Sequence, residues 1–321
     1  MNPKLKKTLS VVIPILLSIG LVWYSLNKVP LEKILFEAKQ ADLKWLLVSV
    51  VCLNLSHMSR AYRWLFMLKP LGYNVRYLNS LMAVFSAYLM NYGIPRSGEV
   101  ARATIMTKYE DVPFEKSFGT IISERVIDTV VMLIIMIITL VLQYDFIVDF
   151  FSSLFKTSHI YTIISIVTVV FLTIIIFRYS KIKFATKIKD FFKGLVEGLI
   201  SVLKMEKKWQ FVFHTFFIWS MYLFMFYSGI QSFEALKSLP LSAVLIGFIA
   251  GSFSVAATNG GTGSYPEAIF IAFKSFNVLA DLSRAFGWVI WGIQTIVTVI
   301  LGGLSLILLP VYNKNKTIKS I

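Results

Sequence analysis

About six apolar runs, each long enough to cross a lipid bilayer as a helix, constrain this chain more than any other feature. About 20 residues rising about 1.5 Å each span the hydrocarbon core of a membrane. The 321 residues are 57% hydrophobic and 15% charged, with mean hydropathy +0.73, which is too much apolar surface to hide in water. Composition therefore excludes a cytosolic enzyme, a secreted disulfide scaffold and a disordered chain, and it predicts a multi-pass membrane protein. The runs lie at 9–26, 43–59, 119–142, 159–177, 209–229 and 286–309.

Two further apolar stretches, 77–112 and 241–276, are each interrupted by a break rich in glycine and proline. Each break separates two short legs, and the second leg carries charged residues. Irregular backbone at membrane depth is tolerated only where protein covers it or where it lines a cavity. We therefore predict a re-entrant helical hairpin at each stretch.

The two breaks share the pattern Asn-x-Gly-x5-Glu, which suggests an internal repeat. It runs from Asn91 to Glu99 and again from Asn259 to Glu267, 168 positions later. The same offset carries two of the spans onto later spans. Each copy has an odd number of crossings, so the second copy would be upside down, as in many transporters. The predicted fold is an all-α polytopic membrane protein with about six full spans and two re-entrant hairpins. It forms a single integral-membrane domain with inverted repeats at about 1–150 and 151–321.

The distribution of lysine and arginine sets the predicted orientation. If the N-terminus is inside, 23 of the 32 basic residues lie in inside segments and 8 lie in outside segments. Such an excess marks the cytoplasmic side. The count requires the first hairpin to enter from the inside and the second from the outside. We therefore predict a protein of the cell (inner) membrane with both termini cytoplasmic.

Two amphipathic stretches are predicted to lie in the plane of the membrane as surface helices. The first, at 184–203, interleaves apolar residues with lysines, and a basic connecting loop is its alternative. The second is milder and has its apolar face at Leu31, Ile34, Leu35 and Ala38.

Charged residues at the breaks and within a span are candidates for a functional site, because an unpaired charge is costly in a bilayer. Glu99 and Glu267 either cap the half-helices or form a polar midplane site at the hairpin tips. Glu124 and Asp128 share one helix face, with Arg125 in reach of Asp128. The alternative is that this helical turn simply lies at the headgroups.

Several arginines on the predicted cytoplasmic side suit a lipid phosphate, because a guanidinium donates two hydrogen bonds at once. In the pattern Arg60-x-x-Arg63-Trp64, Arg63 either anchors the span at the interface or recruits a headgroup. The predicted substrate-binding set is Arg63, Asn91, Arg96, Glu99, Arg102, Glu124, Arg125, Asp128, Asn259, Gly261 and Glu267.

Cofactor chemistry and catalysis are not expected. The one cysteine, Cys52, lies in an apolar run, and His57, His159 and His214 show no metal-ligand spacing. A P-loop motif does not occur in the sequence. We expect no metal, no cofactor, no nucleic acid partner and no enzymatic activity. The expected partners are anionic membrane lipids, with a second copy of the chain or a lipid-synthesis enzyme as candidate protein partners.

Four sequence elements follow one another between residues 60 and 270. They are Arg60-Ala-Tyr-Arg63-Trp64, the segment from Asn91 to Arg102, Glu124-Arg125-Val-Ile-Asp128, and Gly260-Gly261-Thr-Gly263-Ser-Tyr-Pro-Glu267. In this order they resemble the lysylphosphatidylglycerol synthase transmembrane-region family, the flippase-like domain also found in multiple peptide resistance factors. The resemblance implies a lipid-handling, translocase-like membrane domain without a redox cofactor. Thr258-Asn259 stand where that family usually has prolines, which leaves the geometry of the second tip open.

The leading interpretation is a flippase-like protein that binds an anionic phospholipid or a polyprenyl-linked lipid and translocates it between leaflets. Two alternatives stay open. One is an integral-membrane transferase acting on lipid headgroups, with Glu99 and Glu267 or Asp128 as acid and base. The other is a non-catalytic scaffold of a lipid- or glycan-synthesis complex. The chain shows no counterpart of the synthases' soluble aminoacyl-transfer domain, so lipid lysylation is not implied.

Overall fold

The computed structural model describes residues 19–94, 96–144 and 205–314, together with Leu16, Tyr161, Ile164 and Thr168. Within these residues the regular structure is helical and no strand occurs, which confirms the predicted all-α class. A helix at 19–28, called here the N-terminal helix, precedes nine labelled α-helices in the described part of the chain. These are α1 Leu31–Gln40, α2 Leu43–Leu68, α3 Tyr77–Gly93, α4 Ser97–Glu110, α5 Phe114–Leu142, α6 Lys208–Gln231, α7 Leu241–Ala257, α8 Ser264–Lys274 and α9 Ala280–Tyr312.

Three helices, α5, α6 and α9, are long and apolar enough to cross a membrane, and they coincide with predicted spans. The span predicted at 43–59 lies in α2, whose 26 residues extend about 39 Å. Arg60 and Arg63 in the second half of α2 lower its mean hydropathy, and α2 is not among the three most apolar long helices. The predicted span at 159–177 and the predicted surface helix at 184–203 lie outside the residues that the structure describes, apart from isolated positions.

The outward faces of these helices are apolar. Phe216 on α6 is 73% exposed and Ile307 on α9 is 66% exposed, and many large aliphatic side chains are exposed beside them. Water-soluble proteins rarely expose apolar surface so extensively. Together with the lengths of the three helices, these faces identify an integral membrane protein.

The first predicted hairpin is formed by α3 and α4, which pack against each other. Arg96 adopts a left-handed φ of 60° at the break, where the chain reverses. The Asn91 side-chain oxygen accepts a 2.8 Å hydrogen bond from the backbone N–H of Gly98 and so closes the turn. A Cβ on Gly98 would lie 2.2 Å from the carbonyl oxygen of Ala87, so the two legs touch through their backbones.

The second predicted hairpin is formed by α7 and α8, which also pack against each other. Its break contains Gly260, Gly261 and Gly263, all with positive φ. The backbone N–H of Gly261 donates to the Thr258 hydroxyl at 3.1 Å, which stabilises the turn that replaces the expected prolines. The predicted helix–break–helix pattern is therefore present in both stretches.

Helices α2 and α6 pack along each other in antiparallel directions. Ser49, near the start of α2, donates to the carbonyl of Met225 near the end of α6, at 3.0 Å. Arg63, near the end of α2, donates to Thr215 near the start of α6, at 2.9 Å. Helices α3 and α8 both pack against α9, so the two hairpins share one supporting helix.

The stretch predicted as the milder surface helix forms the helix α1, which packs against α9. Ile34 is buried, whereas Leu31 and Leu35 are exposed. A 2.6 Å ion pair between Lys33 and Asp281 fixes α1 to the start of α9.

The chain divides into two compact units. The first holds the residues up to 124 and those from 207 onward, and the second holds 125–206. A buried core of the first unit includes Trp64, Leu68, Met106 and Ile121, from α2, α4 and the start of α5. The described part of the second unit is mostly the remainder of α5, an apolar helix.

Candidate functional site

Three arginines converge on the carboxylate of Glu124 in the interior of the first unit. Arg60 Nη1 lies 2.6 Å from Glu124 Oε1. Arg102 donates twice, from Nη1 to Oε1 at 3.2 Å and from Nη2 to Oε2 at 3.0 Å. Arg63 Nη2 lies 3.4 Å from Oε1. None of the four side chains is more than 3% exposed. We call these four residues the arginine cluster.

Aromatic rings and hydroxyls surround the arginine cluster. The Arg102 guanidinium lies 3.8 Å above the centroid of the Trp64 ring, and that of Arg63 lies 5.1 Å from the Phe211 ring. Such cation–π contacts stabilise a guanidinium that has left water. The Trp64 indole N–H donates to Thr120 at 2.8 Å, so the tryptophan is itself held in place.

Separate elements supply the members of the arginine cluster. Arg60 and Arg63 are three residues apart and therefore lie on one face of α2. Arg102 lies in the second turn of α4, beyond the first break, and Glu124 lies on α5. The prediction that Arg63 and Trp64 anchor a span at the membrane interface is wrong, because both side chains are fully buried. Both side chains face the packed interior, where Arg63 pairs with Glu124 and Trp64 donates to Thr120.

The cluster places three guanidiniums around the Glu124 carboxylate in a buried setting of low dielectric. Burying ions costs several kcal/mol each, and opposite charges and hydrogen bonds must offset that cost. Each guanidinium fork matches the oxygens of a phosphate as well as those of a carboxylate. The arrangement is therefore chemically suited to bind an anion in place of Glu124.

Two predicted residues lie further along α5, in the second unit. Arg125 Nη1 and Asp128 Oδ2 are 3.9 Å apart, so the predicted pairing within one helical turn is present. The Asp128 side chain is buried, whereas that of Arg125 is partly exposed.

Glu267 on α8 forms a second ion pair, which is partly buried. Arg284 on α9 donates from Nε to Oε1 at 2.8 Å and from Nη2 to Oε2 at 3.1 Å. Ser25 of the N-terminal helix donates to Oε1 at 3.0 Å and accepts from the Trp288 indole at 3.1 Å. Helix α8 has no side-chain cap on its backbone. Glu267 therefore holds three helices together instead of capping one.

The tips of the two hairpins meet. The Tyr92 ring lies close against Gly260, where a Cβ would be 2.7 Å from the ring. The Trp291 indole donates to the carbonyl of Gly260 at 2.8 Å, and the Thr295 hydroxyl donates to that of Tyr92 at 3.1 Å. Helix α9 thus supports both tips at their contact.

The remaining predicted residues have different surroundings. Asn91 and Gly261 are engaged in the turns of their own tips. Arg96 is exposed, and Glu99 lies half-buried in the first turn of α4. Asn259 is buried at the second tip. Within the first unit, the predicted residues are divided among the arginine cluster, the Glu267 ion pair and the hairpin tips.

Sequence reasoning missed several contacting residues. Arg60 lies inside a recognised motif and could have been chosen, because it follows the same face as Arg63. Thr120, Thr215, Ser25 and Trp288 carry no local signal, since hydroxyls and indoles are common in membrane helices. Their roles depend on partners that are distant along the chain.

A family model and one relative each match nearly the whole chain, and a second relative matches part of it. The family described as "Lysylphosphatidylglycerol synthase TM region" matches residues 11–302. The chain is similar to UPF0104 membrane protein MJ1595 of Methanocaldococcus jannaschii, with 22% identity over 345 aligned positions that cover 95% of each protein. It is also similar to UPF0104 membrane protein PH1989 of Pyrococcus horikoshii, with 25% identity over 130 positions, 39% of this chain and 38% of that protein. No solved structure gives a significant match.

Proposed function

The chain belongs to the lysylphosphatidylglycerol synthase TM region family, and from this premise we propose that it is a flippase-like lipid translocase. Its substrate is an anionic phospholipid or a polyprenyl-linked lipid phosphate, which it binds and carries between leaflets. It acts without covalent chemistry on the lipid. It resides in the cell (inner) membrane with both termini in the cytoplasm.

The arginine cluster is the observation that carries this proposal. Ionisable residues inside a membrane protein are expensive and commonly mark the path of a substrate or an ion. Arg60, Arg63 and Arg102 each form an ion pair with Glu124, and aromatic rings lie beside them. A purely structural helix contact needs far less buried charge.

Glu124 acts as an internal counter-ion in this mechanism. Without lipid, its carboxylate occupies the guanidinium forks and makes their burial tolerable. A lipid phosphate presents similar oxygens and exchanges with the carboxylate. Because Arg102 follows the first break on α4, its release from Glu124 would free the second leg of that hairpin. Binding of the headgroup is thereby coupled to motion within the first hairpin, whose other leg contacts the second hairpin through Tyr92 and Gly260.

The inverted repeat is part of the proposal. The order long helix, two-helix hairpin, long helix occurs at α2–α5 and again at α6–α9. The corresponding helices α2 and α6 run antiparallel and in contact, which supports copies of opposite orientation. Inverted repeats whose broken helices meet near the middle of the membrane are typical of secondary transporters.

Lipid exchange in proteoliposomes tests the function. The purified protein is reconstituted into phosphatidylcholine vesicles that contain fluorescent phosphatidylglycerol or fluorescent phosphatidylcholine, and exchange is followed by quenching of the outer leaflet. The wild type should exchange phosphatidylglycerol faster. One charge-assisted hydrogen bond, about 1.5–3 kcal/mol, corresponds to about 10- to 150-fold in affinity. Arg102→Lys should weaken phosphatidylglycerol exchange measurably, and Arg102→Gln should weaken it further, towards that range.

The matched control is Arg76→Lys. Arg76 also forms an ion pair with a glutamate, Glu110 at 2.9 Å, but it lies at the opposite end of the first hairpin. This variant should exchange lipid like the wild type. Equal exchange of both lipids by the wild type, or indifference to both Arg102 substitutions, would contradict the proposal and favour a scaffold. Appearance of a chemically altered lipid would favour a headgroup transferase.

A further inference from the structure

His57 on α2 is a buried ionisable side chain that the proposed exchange at the arginine cluster does not use. It is 5% exposed, and its Nδ1 atom is buried without a hydrogen-bond partner among the described residues. A buried polar atom without a partner costs free energy. Histidines inside membrane proteins commonly bind protons and pass them on. His57 is therefore a candidate proton site, and its surroundings bear on that role.

Three aromatic rings from two other helices surround the imidazole of His57. The centroid of the Tyr88 ring on α3 lies 4.3 Å from that of the imidazole, with the two planes 34° apart. The rings of Phe85 on α3 and Tyr222 on α6 lie 5.7 Å and 6.1 Å away, centroid to centroid. The hydroxyls of Tyr88 and Tyr222 are hydrogen-bonded to each other at 3.1 Å, which fixes two walls of this cage. Because a ring attracts a cation within about 6 Å of its centroid, the cage stabilises an imidazolium better than aliphatic side chains would.

His57 lies next to the arginine cluster. It precedes Arg60 by three residues, so the two side chains are neighbours on the surface of α2. The Tyr222 ring links them, because the Arg60 guanidinium lies 5.9 Å from the centroid of that ring. In the described part of the chain, the charged group that acts on His57 is Arg60, and the titratable groups that face its ring from α3 and α6 are the phenols of Tyr88 and Tyr222. The charge at His57 therefore depends on Arg60 and on the anions that contact Arg60.

An anion at the arginine cluster changes this balance. Without lipid, burial and the positive charge of Arg60 both oppose a proton on His57. When a lipid phosphate joins Glu124 among the guanidiniums, one more negative charge lies beside His57, and the protonated imidazole becomes more favourable. Linkage is reciprocal, so a proton on His57 strengthens the binding of the phosphate by the same factor.

We propose that His57 binds one proton together with the lipid phosphate, so that lipid and proton cross the membrane as a pair. The inference rests on the proposed lipid translocation and adds the ion that is coupled to it. The chemistry is a reversible protonation. A proton from water forms an N–H bond with the unprotonated imidazole nitrogen as the phosphate enters, and it returns to water as the phosphate leaves. A lipid with one negative charge and one proton together carry no net charge, so the membrane potential does not oppose their crossing.

Binding of phosphatidylglycerol at different pH tests the coupling, because the single charge of its phosphodiester does not change near neutral pH. The affinity of the purified full-length protein is measured at about pH 6 and about pH 8. One linked proton changes an affinity by at most about tenfold per pH unit. The wild type should therefore bind more tightly at the lower pH, by about 3- to 100-fold across the two units. Calorimetry in buffers of different ionisation enthalpy should record proton uptake with each lipid bound.

Two substitutions remove the proton site in different ways. His57→Phe keeps an aromatic ring inside the cage, and His57→Gln keeps a polar side chain. Both variants should bind phosphatidylglycerol equally well at the two pH values, without proton uptake. The matched control is His214→Gln on α6, where His214 Nδ1 lies 2.8 Å from the Ser59 hydroxyl and the side chain is half-buried. This variant should keep the pH dependence of the wild type.

Transport of the pair is tested in proteoliposomes with an imposed pH difference. If the outside is the more acidic, lipid and proton should move inward together, and phosphatidylglycerol should accumulate in the inner leaflet. The His57→Phe variant should show no such bias. An unbiased distribution in the wild type would overturn the coupled crossing.

Failure of the proton coupling and failure of the translocase proposal give different results. A wild-type affinity that is independent of pH, or a pH dependence that survives both His57 substitutions, would overturn the inference. Loss of the dependence in His214→Gln would also overturn it, because the proton would then bind on α6. The preference for phosphatidylglycerol over phosphatidylcholine should persist in both His57 variants, since the arginine cluster is intact. If the wild type lacks that preference, the proposed function fails; if it has the preference but takes up no proton, only the coupling fails.

Discussion

At the scale of single residues, Glu124 makes the burial of three arginines tolerable. Replacing it with glutamine keeps the shape but removes the negative charge that all three arginines contact. Breaking a buried ion pair by removing one partner costs about 3–5 kcal/mol. We expect Glu124→Gln to lower the free energy of unfolding by about that amount, measured by denaturation in detergent. Glu234→Gln is the control, because Glu234 is 87% exposed in its ion pair with Lys237, and its effect should stay within about 0.5 kcal/mol.

Lipid should partly reverse the loss in Glu124→Gln. If a phosphate takes the place of the carboxylate, added phosphatidylglycerol stabilises the variant by binding only its folded state. The rise in unfolding midpoint should be larger for the variant than for the wild type, and phosphatidylcholine should produce no comparable rise. Equal stabilisation of wild type and variant by both lipids would mean that the arginines do not accept phosphate.

The site could be predicted from sequence only in part. Charges within apolar runs indicated that Arg102 and Glu124 need partners, because bare charges are not tolerated in a membrane. Which charges meet is decided by packing, and Arg60 lies 64 positions from Glu124 along the chain. Arg96 fits the same chemical criterion, yet it is exposed at the break, where its backbone is left-handed. Composition and spacing cannot distinguish Arg96, which is exposed, from Arg102, which is buried.

At the scale of elements, the contact between the N-terminal helix and the second tip depends on Gly263. Its φ is +71°, and a Cβ there would lie 2.4 Å from the Val22 backbone. The left-handed conformation costs a residue other than glycine about 1–2 kcal/mol, and overpacking adds about 1–3 kcal/mol. We expect Gly263→Ala to release the N-terminal helix, which would be detected as faster trypsin cleavage after Lys28.

Gly292→Ala is the matched control for this prediction. Gly292 lies within α9, and a Cβ there would meet no atom within 4 Å. Alanine is favoured over glycine inside a helix, so this variant should be cleaved like the wild type. Identical cleavage of both variants would show that the N-terminal helix does not need the close approach at Gly263.

The helices and their breaks could be predicted better than the contacts between them, because helices and breaks depend on neighbouring residues in the sequence. Both hairpins follow from glycine and proline interrupting apolar stretches, and the breaks occur where those residues lie. Helix α2 shows the limit of hydropathy. Its predicted span ends at residue 59, but the helix continues to Leu68. Arg60 and Arg63 resemble the end of a span in the sequence, whereas in the fold they are buried against Glu124.

At the scale of the whole molecule, the antiparallel packing of α2 and α6 links orientation to charge. The end of α2 and the start of α6 lie on one side, and the end of α6 lies on the other. The loops at the first side are the more basic, which predicts that Lys69 is cytoplasmic and Glu234 is external. Both positions are exposed.

Cysteine accessibility tests this orientation sharply, because Cys52 is the one native cysteine and is buried. On a Cys52→Ser background, Glu234→Cys should react with a membrane-impermeant maleimide in intact cells. Lys69→Cys should react only after permeabilisation, since its side of the bundle carries the basic excess. Both positions reacting from the same side would contradict the membrane crossing of α2 and α6. The reverse pattern would keep the crossing but invert the orientation, placing the basic ends of both helices outside the cytoplasm.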